Sequence, residues 1–536
     1  MLAPRTRRRA GLLVLPLLLG VVGGPAQGPD AGNGEPVVTA AVQVTKNPDP
    51  ARAHATPQLA RNPKTGELVI AETEYRTTLA CNVHISTDDG RSWAPGGQFM
   101  LAPFTNCGGD PLSTINLHMA FDPSGILYLA YTAHDPKWDT MGIARSDRPR
   151  HVLLARSEDS GRSWTNTVVY TPPEGTTGDP KTSNRRTMVA VDPKNPQWVY
   201  IVWQQPGGTG KPEKSLVLAS SDGARTFSGE PVNTADDRGG YQGRPAVDGE
   251  GVLHIVTPSR GFLDPPRPTD PAVRPSVYRF STDNGKTFSP AVDIDPGNQG
   301  FSFSRKQMLA ADPNSPNLYF TWYGNPNQKA KRPAAGQPPS PEFDDRTVYL
   351  RSSNDGGKSW SEPKTVNDDA STKMNQHYDP NLFIAPNGRL DMAWYDFRSS
   401  PTPEGEGAGG NAGGFNDVFY ASSTDGGRSI TKNVRISDRI IDRNIGVWSN
   451  NTHIHGNVGI ASSEDSVYFA WQDSRNGNSV TNTEDIYFAS LKLEGTAPVG
   501  DDEGTPGWIL AGAGVAVGMG LAMLLVYLIS RRRTAP

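Results

Sequence analysis

A chain of 536 residues is long enough for several average domains, but 57 Gly, 47 Pro and only 20% charged residues mark turn-rich β-structure rather than helices. The net charge of −4 gives no basic footprint, so nucleic acid is excluded as an expected partner. At this length a repeat architecture can form one body, which makes internal repeats the first feature to seek.

The chain opens on a basic segment, Arg5-Thr6-Arg7-Arg8-Arg9, followed by the apolar stretch GLLVLPLLLGVVGG and small residues at Gly24 and Ala26. This order reads as a secretory signal peptide over residues 1–28, cleaved near Ala26. The apolar core is short and broken by Pro16, which argues against an uncleaved anchor. Next, Val37-Val38-Thr39-Ala40-Ala41-Val42-Gln43-Val44 is strand-like but belongs to no repeat. Cys81 and Cys107 lie in the exported part, where an oxidising environment favours a disulfide between them. No CxxC or HExxH spacing occurs, so no metal site is expected.

From Ser86 onward the pattern S-x-D-x-G-x-[S/T]-[aromatic] recurs: STDDGRSW at Ser86, SEDSGRSW at Ser157, SSDGARTF at Ser220, STDNGKTF at Ser281, SNDGGKSW at Ser353 and STDGGRSI at Ser423. The third copy carries Ala224 in place of Gly, and the sixth ends in Ile430 rather than an aromatic. Two alternating strands precede each copy, as in LDMAWYDFRS then DVFYASS. A seventh such pair, VYFAWQDSRNG then DIYFASL, follows the last copy and has no octapeptide of its own. Units of roughly 60 to 72 residues suit four-stranded propeller blades. Seven blades are therefore expected, with the segment from Val37 to Val44 completing the seventh and closing the ring; six blades plus an appended hairpin is the alternative. Trp508 to Ile529 is an uncharged apolar run of bilayer length, followed by Arg531-Arg532-Arg533. The expected order is a propeller ectodomain over 29–495, a polar linker over 496–507, a transmembrane helix over 508–529 and a cytoplasmic tail over 530–536. The protein would then sit in the cell membrane by a single pass, its ectodomain outside.

The octapeptides resemble the Asp boxes of bacterial sialidases and related propellers. In that family each box is the turn between the third and fourth strands of a blade. Turn physics agrees, since Asp accepts backbone N–H bonds, Gly supplies positive φ and the aromatic packs between blades. The boxes thus have a structural role, and binding residues are expected at the opposite face, where innermost strands start and second strands end. Long loops leave the second strands there, after Phe262, Asn327 and Ser400. The innermost-strand starts bring His118, Arg185-Arg186, Arg244, Arg305-Lys306, His377-Tyr378-Asp379, and His453 with His455. Arginines converging on one pocket suit an anionic ligand, because the guanidinium fork matches two oxygens.

The resemblance implies three arginines on a sugar carboxylate, a Tyr nucleophile activated by a Glu, and an Asp acid/base. Tyr378 matches the nucleophile position, Arg305 one arginine and Arg260 another, with Arg186, Arg244 and His377 as further substrate-binding candidates. The family's Arg-Ile-Pro motif in blade 1 is here Ala55-Thr56-Pro57, so one arginine is missing. Glu72, Glu74 and Asp110 are the carboxylates nearest to the acid/base position, and Asp248 and Glu250 align loosely with the Glu partner. Asp396 is a catalytic candidate beside Tyr378. However, its motif Trp394-Tyr395-Asp396-Phe397-Arg398 recurs as Trp471-Gln472-Asp473-Ser474-Arg475, which favours ties from Arg398 to Asp417 and from Arg475 to Asp485. The sequence therefore points to a sialidase-like exo-glycosidase acting on or binding acidic glycans or another anion; a non-catalytic binding or scaffold propeller is the alternative. No cofactor is expected beyond room for a structural calcium ion, for which no EF-hand-like loop is present.

Overall fold

The computed structural model describes residues 37–49, 52–75, 79–105, 107, 117–139, 148–173, 183–207, 212–235, 240, 242–258, 275–295, 307–324, 346–369, 377–400, 414–446 and 457–493. The predicted signal peptide, linker, transmembrane helix and tail lie outside them. Among the described residues no helix is long and apolar enough to cross a membrane.

Seven antiparallel sheets form seven blades. From the innermost strand outward, blade 1 has His54–Arg61, Leu68–Tyr75, Leu79–Ser86 and Ala94–Pro95. Blade 2 has Leu117–Phe121, Leu127–Ala133, His151–Ser157 and Thr165–Tyr170; blade 3 has Arg185–Val191, Val199–Gln205, Lys214–Ser220 and Val232–Asn233. Blade 4 comprises Arg244–Val247, Leu253–Thr257, Val277–Ser281 and Val292–Asp293, and blade 5 Met308–Ala311, Leu318–Gly324, Thr347–Ser353 and Lys364–Thr365. Blade 6 comprises His377–Ile384, Leu390–Asp396, Phe415–Ser423 and Val434–Arg435. In blade 7, Gly459–Ser462, Ser466–Asp473 and Asp485–Lys492 are followed outward by Val37–Val38 and Val42–Gln43 from the other end of the chain. Val37 pairs with Lys492 and Val42 with Phe488, so the ring closes as its repeats predict. Each innermost strand contacts the next, with blade 7 returning to blade 1.

The second strands are buried along nearly their whole length because both of their faces meet neighbouring blades. Their apolar side chains fill the junctions, for example Leu68 and Ile70 of blade 1 with Tyr468, Ala470 and Phe488 of blade 7. Cys81, in the third strand of blade 1, is disulfide-bonded to Cys107 on the way to blade 2.

Each octapeptide is one hydrogen-bonded turn. In the first, the Ser86 hydroxyl donates to Asp88 (2.8 Å) and accepts from the Gly90 N–H (2.9 Å). Asp88 then accepts from the backbone N–H (2.9 Å) and hydroxyl (2.6 Å) of Ser92. The same set recurs around Asp159, Asp222, Asp283, Asp355 and Asp425. Bonds from Ser92 and Ser86 hold the Asp88 carboxyl down to about 2, so the turn keeps its acceptor ionised.

The glycine of five of the six turns, and Ala224 in the third, has positive φ and lies against the preceding blade. A methyl group on Gly90 would overlap the Phe488 ring, and one on Gly357 would overlap the Tyr278 hydroxyl. Tyr278 cannot swing away, since it is buried and its hydroxyl meets His254 Nδ1 at 2.7 Å. The adjacent Gly356 also has positive φ (71°) but nothing within 4 Å. Gly356→Ala should therefore lose only the backbone term of about 1 kcal/mol, whereas Gly357→Ala should lose about 3 kcal/mol or more by adding overpacking. Denaturant unfolding of the two variants side by side checks the difference.

Candidate functional site

The innermost strands start on the face opposite the octapeptides, and three of them begin with a bulge. The register slips between Ala55 and Gln58, between Arg185 and Met188, and between Tyr378 and Asn381. In each bulge one non-glycine residue takes a left-handed conformation: Thr56 (φ 55°), Arg186 (φ 57°) and Asp379 (φ 56°). Such conformations cost on the order of 1–3 kcal/mol and cluster where side chains must be re-aimed.

The described contacts gather the candidates into two sets. In the first, Arg186 and Arg244 are both buried and lie close enough for each to feel the other's charge. Arg244 donates to the Gln307 carbonyl (2.7 Å), to Gln242 Oε1 (2.5 Å) and towards Met188 Sδ (3.2 Å). Arg186 donates to Gln204 Oε1, and Gln204 in turn donates to Glu213. Burial, and then the charge of Arg186, lower the Arg244 guanidinium to about 9. His118 of blade 2 is pulled down to about 4 by burial and by Arg244, although it keeps some exposure. Two guanidinium groups and a neutral imidazole from blades 2, 3 and 4 thus share one corner of the strand-start face. An anion there would lower the mutual repulsion.

The second set belongs to blade 6. Tyr378 is packed against the rings of Tyr323 and Phe397, both 5.4 Å away, and Arg346 lies 4.7 Å over its ring. Its neighbour His377 is buried, with Nδ1 on the Arg346 carbonyl and Nε2 at 3.1 Å from Asp369 and 3.3 Å from Asp396. Asp396 is itself fully buried and accepts from Trp394 Nε1 (2.9 Å), the Arg398 backbone N–H (2.9 Å) and the Arg398 guanidinium (2.8 Å). Burial disfavours charge on His377, but the Asp396 and Asp369 carboxylates outweigh it and raise the ring to about 10. Burial likewise opposes charge on Asp396, yet His377 and Arg398 hold its carboxyl well below the usual range. The ligand atoms of Asp369, His377 and Asp396 lie within 4.8 Å of one another, a spacing that would admit a metal ion. The guanidinium of Arg398 and the imidazolium of His377 already neutralise those two carboxylates, so a cation would have to displace them.

The ties expected within the repeated W-x-D-x-R motif take a different course. Arg398 returns to Asp396 and reaches Asp368 (2.7 Å), while Asp417 pairs with Arg435 (2.6 Å). Arg475 pairs with Asp473 and Asp438, both at 2.7 Å, while Asp485 is held by Arg52 (2.7 Å). Asp396 stands directly across from Asp417, and Asp473 from Asp485. Like charges facing each other across a strand pair each need a separate cation, and the turn after the second strand folds each Arg back onto its own Asp.

Ala55 is fully buried at the start of blade 1, where the family's arginine would stand. Glu72 is also fully buried, between His54 (3.0 Å) and His84 (3.5 Å). Burial pushes its carboxyl up, but the two histidines, His54 first, outweigh that and hold it down to about 2. Glu74 accepts from Asn47 (3.0 Å) and Asn82 (3.3 Å). Asp248 caps the hairpin at the octapeptide end of blade 4, accepting from Glu250 and Val252 backbone and meeting His254 at 3.1 Å; this is the wrong face to serve Tyr378. Arg260, Arg305, Lys306, His453, His455, Asp110 and the three long loops lie outside the described residues.

Arg346 was not legible as a site residue, since only its place just before a third strand marks it. The buried pairs Gln204 with Glu213 and Gln472 with Glu484 were also missed. Their signal is a Trp-Gln dipeptide in the second strand followed by a Glu before the third, present in blades 3 and 7.

No family model matches the sequence, and no curated protein is similar to it. Among solved structures, a protein of unknown function from Dyadobacter fermentans is similar over 85% of this chain and 99% of its own, at 12% identity and a TM-score of 0.44. A Hadza microbial sialidase is similar over 64% of this chain and 63% of its own, at 16% identity and a TM-score of 0.40. An α-L-arabinanase from Penicillium chrysogenum is similar over 67% of this chain and 94% of its own, at 12% identity and a TM-score of 0.42. Likenesses of this degree say nothing about what the chain acts on.

Replacing His377 by Gln leaves Asp369 and Asp396 facing one another across a buried gap, and should cost about 3–5 kcal/mol. Because the folded-state pKa of His377 is raised, its contribution is complete below about pH 6.5 and fades as pH rises through about 10. Thermal unfolding between pH 6.5 and 10 should show this decline in the wild type and a flatter profile in His377→Gln.

Proposed function

We propose that the protein is an exported, membrane-tethered propeller that binds an anionic ligand, an acidic glycan being the class expected, on the strand-start face of blades 2 to 4. The observation that carries this reading is the meeting of Arg186 and Arg244, two buried guanidinium groups from neighbouring blades that stand close enough for the charge of Arg186 to lower Arg244. Export and tethering rest on the segments 1–28 and 508–529. Binding is favoured over sialidase-type hydrolysis by two features of the residues. Ala55 offers no donor at the third arginine position, and Asp396 is kept ionised inside an ion-pair network, so it has no proton to deliver near neutral pH.

The test uses the ectodomain, residues 29–500, with 3′-sialyllactose and a sulfated oligosaccharide as binding probes and a panel of fluorogenic sialosides and other glycosides as substrates. Saturable binding that weakens with salt and falls at least tenfold in Arg244→Gln, with thermal unfolding retained, is the expected result. His118 is held neutral down to about pH 4, so this affinity should stay level between pH 5 and 8. Turnover of any glycoside abolished by Tyr378→Phe would restore the hydrolytic reading. Absence of both binding and turnover would leave the scaffold alternative.

A further inference from the structure

Five of the six octapeptides end in a ring that packs into the junction with the preceding blade. Trp93 meets Phe488 of blade 7 at 5.2 Å, Trp164 meets Phe99 at 5.9 Å, and Trp360 meets Tyr278 of blade 4 at 5.3 Å. Phe227 packs on the cluster containing Tyr128, and Phe288 on the cluster containing Tyr200. The sixth copy, which faces blade 5, offers Ile430 instead, packed on the cluster that contains Tyr319. Ile430 brings a smaller side chain to that junction than an indole or phenyl ring would. Beside this turn, over Tyr319, a groove of about 490 Å³ opens on the octapeptide face, lined by Asn317, Tyr319, Asn354, Trp360, Asp425 and Arg428 among others.

Two donors at this groove lack the bonds that their counterparts make elsewhere. Tyr319 lines the groove and is only 2% exposed, and among the described residues its hydroxyl has no hydrogen-bond partner. In blade 3 the corresponding Tyr200 hydroxyl donates to Asn284 of the next octapeptide (3.3 Å), whereas blade 6 has Gly426 at that place and offers no side-chain acceptor. The indole N–H of Trp93 donates to the Gly90 carbonyl and that of Trp164 to the Gly97 carbonyl, both at 3.1 Å. The indole N–H of Trp360 is buried without a partner. For the Trp360 indole N–H, a buried donor left unbonded, this costs about 1–3 kcal/mol, which an acceptor on a ligand would recover. Around these two donors stand amides, serine hydroxyls and the exposed Arg428, while Asp425 keeps a negative charge through its bonds to Ser429 and Ser423.

We propose that the groove between the turns of blades 5 and 6 is a second binding site, separate from the strand-start face, and that it takes a neutral oligosaccharide. The volume is that of a small-ligand site, and an aromatic wall with hydroxyl, amide and guanidinium donors suits a chain of sugar hydroxyls. Asp425 disfavours an acidic sugar there. This site does not depend on the anion site of blades 2 to 4.

The test is calorimetric titration of the ectodomain with maltotetraose, mannotetraose and chitotetraose. At least one should bind saturably, and Ile430→Trp, which restores the ring found in five other turns, should abolish binding while keeping or raising the unfolding temperature. Arg428→Ala, an exposed change, and Tyr319→Phe should each weaken it about tenfold, and Arg244→Gln should leave it unchanged. Failure of all three sugars to bind, or binding that survives Ile430→Trp, overturns the proposal, as does binding lost in Arg244→Gln alone.

Discussion

At two of the octapeptide turns neighbouring blades approach so closely that the turn can present no side chain. At Gly90 and Gly357 the backbone of one blade lies against an aromatic ring or a hydroxyl of the blade before it, with no room for a methyl group. The serine and aspartate of the same turn hold that backbone in its left-handed course, and the following aromatic seals the junction. These close approaches lie on the face away from the candidate anion site. Blade 3 departs from the rule: Ala224 sits at φ 65° and is buried against Tyr128, so one methyl group is accommodated where the partner surface recedes.

The opposite face is organised by charge rather than by shape. Acidic residues stand face to face across the second and third strands of blades 6 and 7, and each draws in its own cation. These networks explain why so many polar groups are buried at the blade ends without being catalytic. In the corner formed by Arg186, Arg244 and His118, by contrast, cationic and titratable groups stand beside one another. A guanidinium group thus faces carboxylates in blade 6 and a second guanidinium group in blades 3 and 4.

Much of the architecture was legible because turn chemistry is local: an octapeptide specifies its own hydrogen bonds, and its period counts the blades. The closing role of Val37 to Val44 was legible from a single unpaired strand and a single incomplete blade. Site chemistry was less so. Arg398 and Asp417 lie close in sequence pattern, yet which carboxylate an arginine meets depends on a turn of a few residues, and both predicted ties went elsewhere. The bulges at Thr56, Arg186 and Asp379 have no glycine to announce them. Ile430 was visible as a departure from the repeat, but only the packing of the other five rings gave it meaning.

The strand Asp485–Lys492 has a mechanical position unlike that of an edge strand. It is hydrogen-bonded to Ser466–Asp473 on one side and to Val37–Val38 and Val42–Gln43 on the other, and Arg52 grips its first residue. A pull on the chain beyond Leu493 therefore loads two ladders at once in shear, so that bonds must fail together rather than unzip one after another. The strand that leads out of the ring is the one best placed to bear tension.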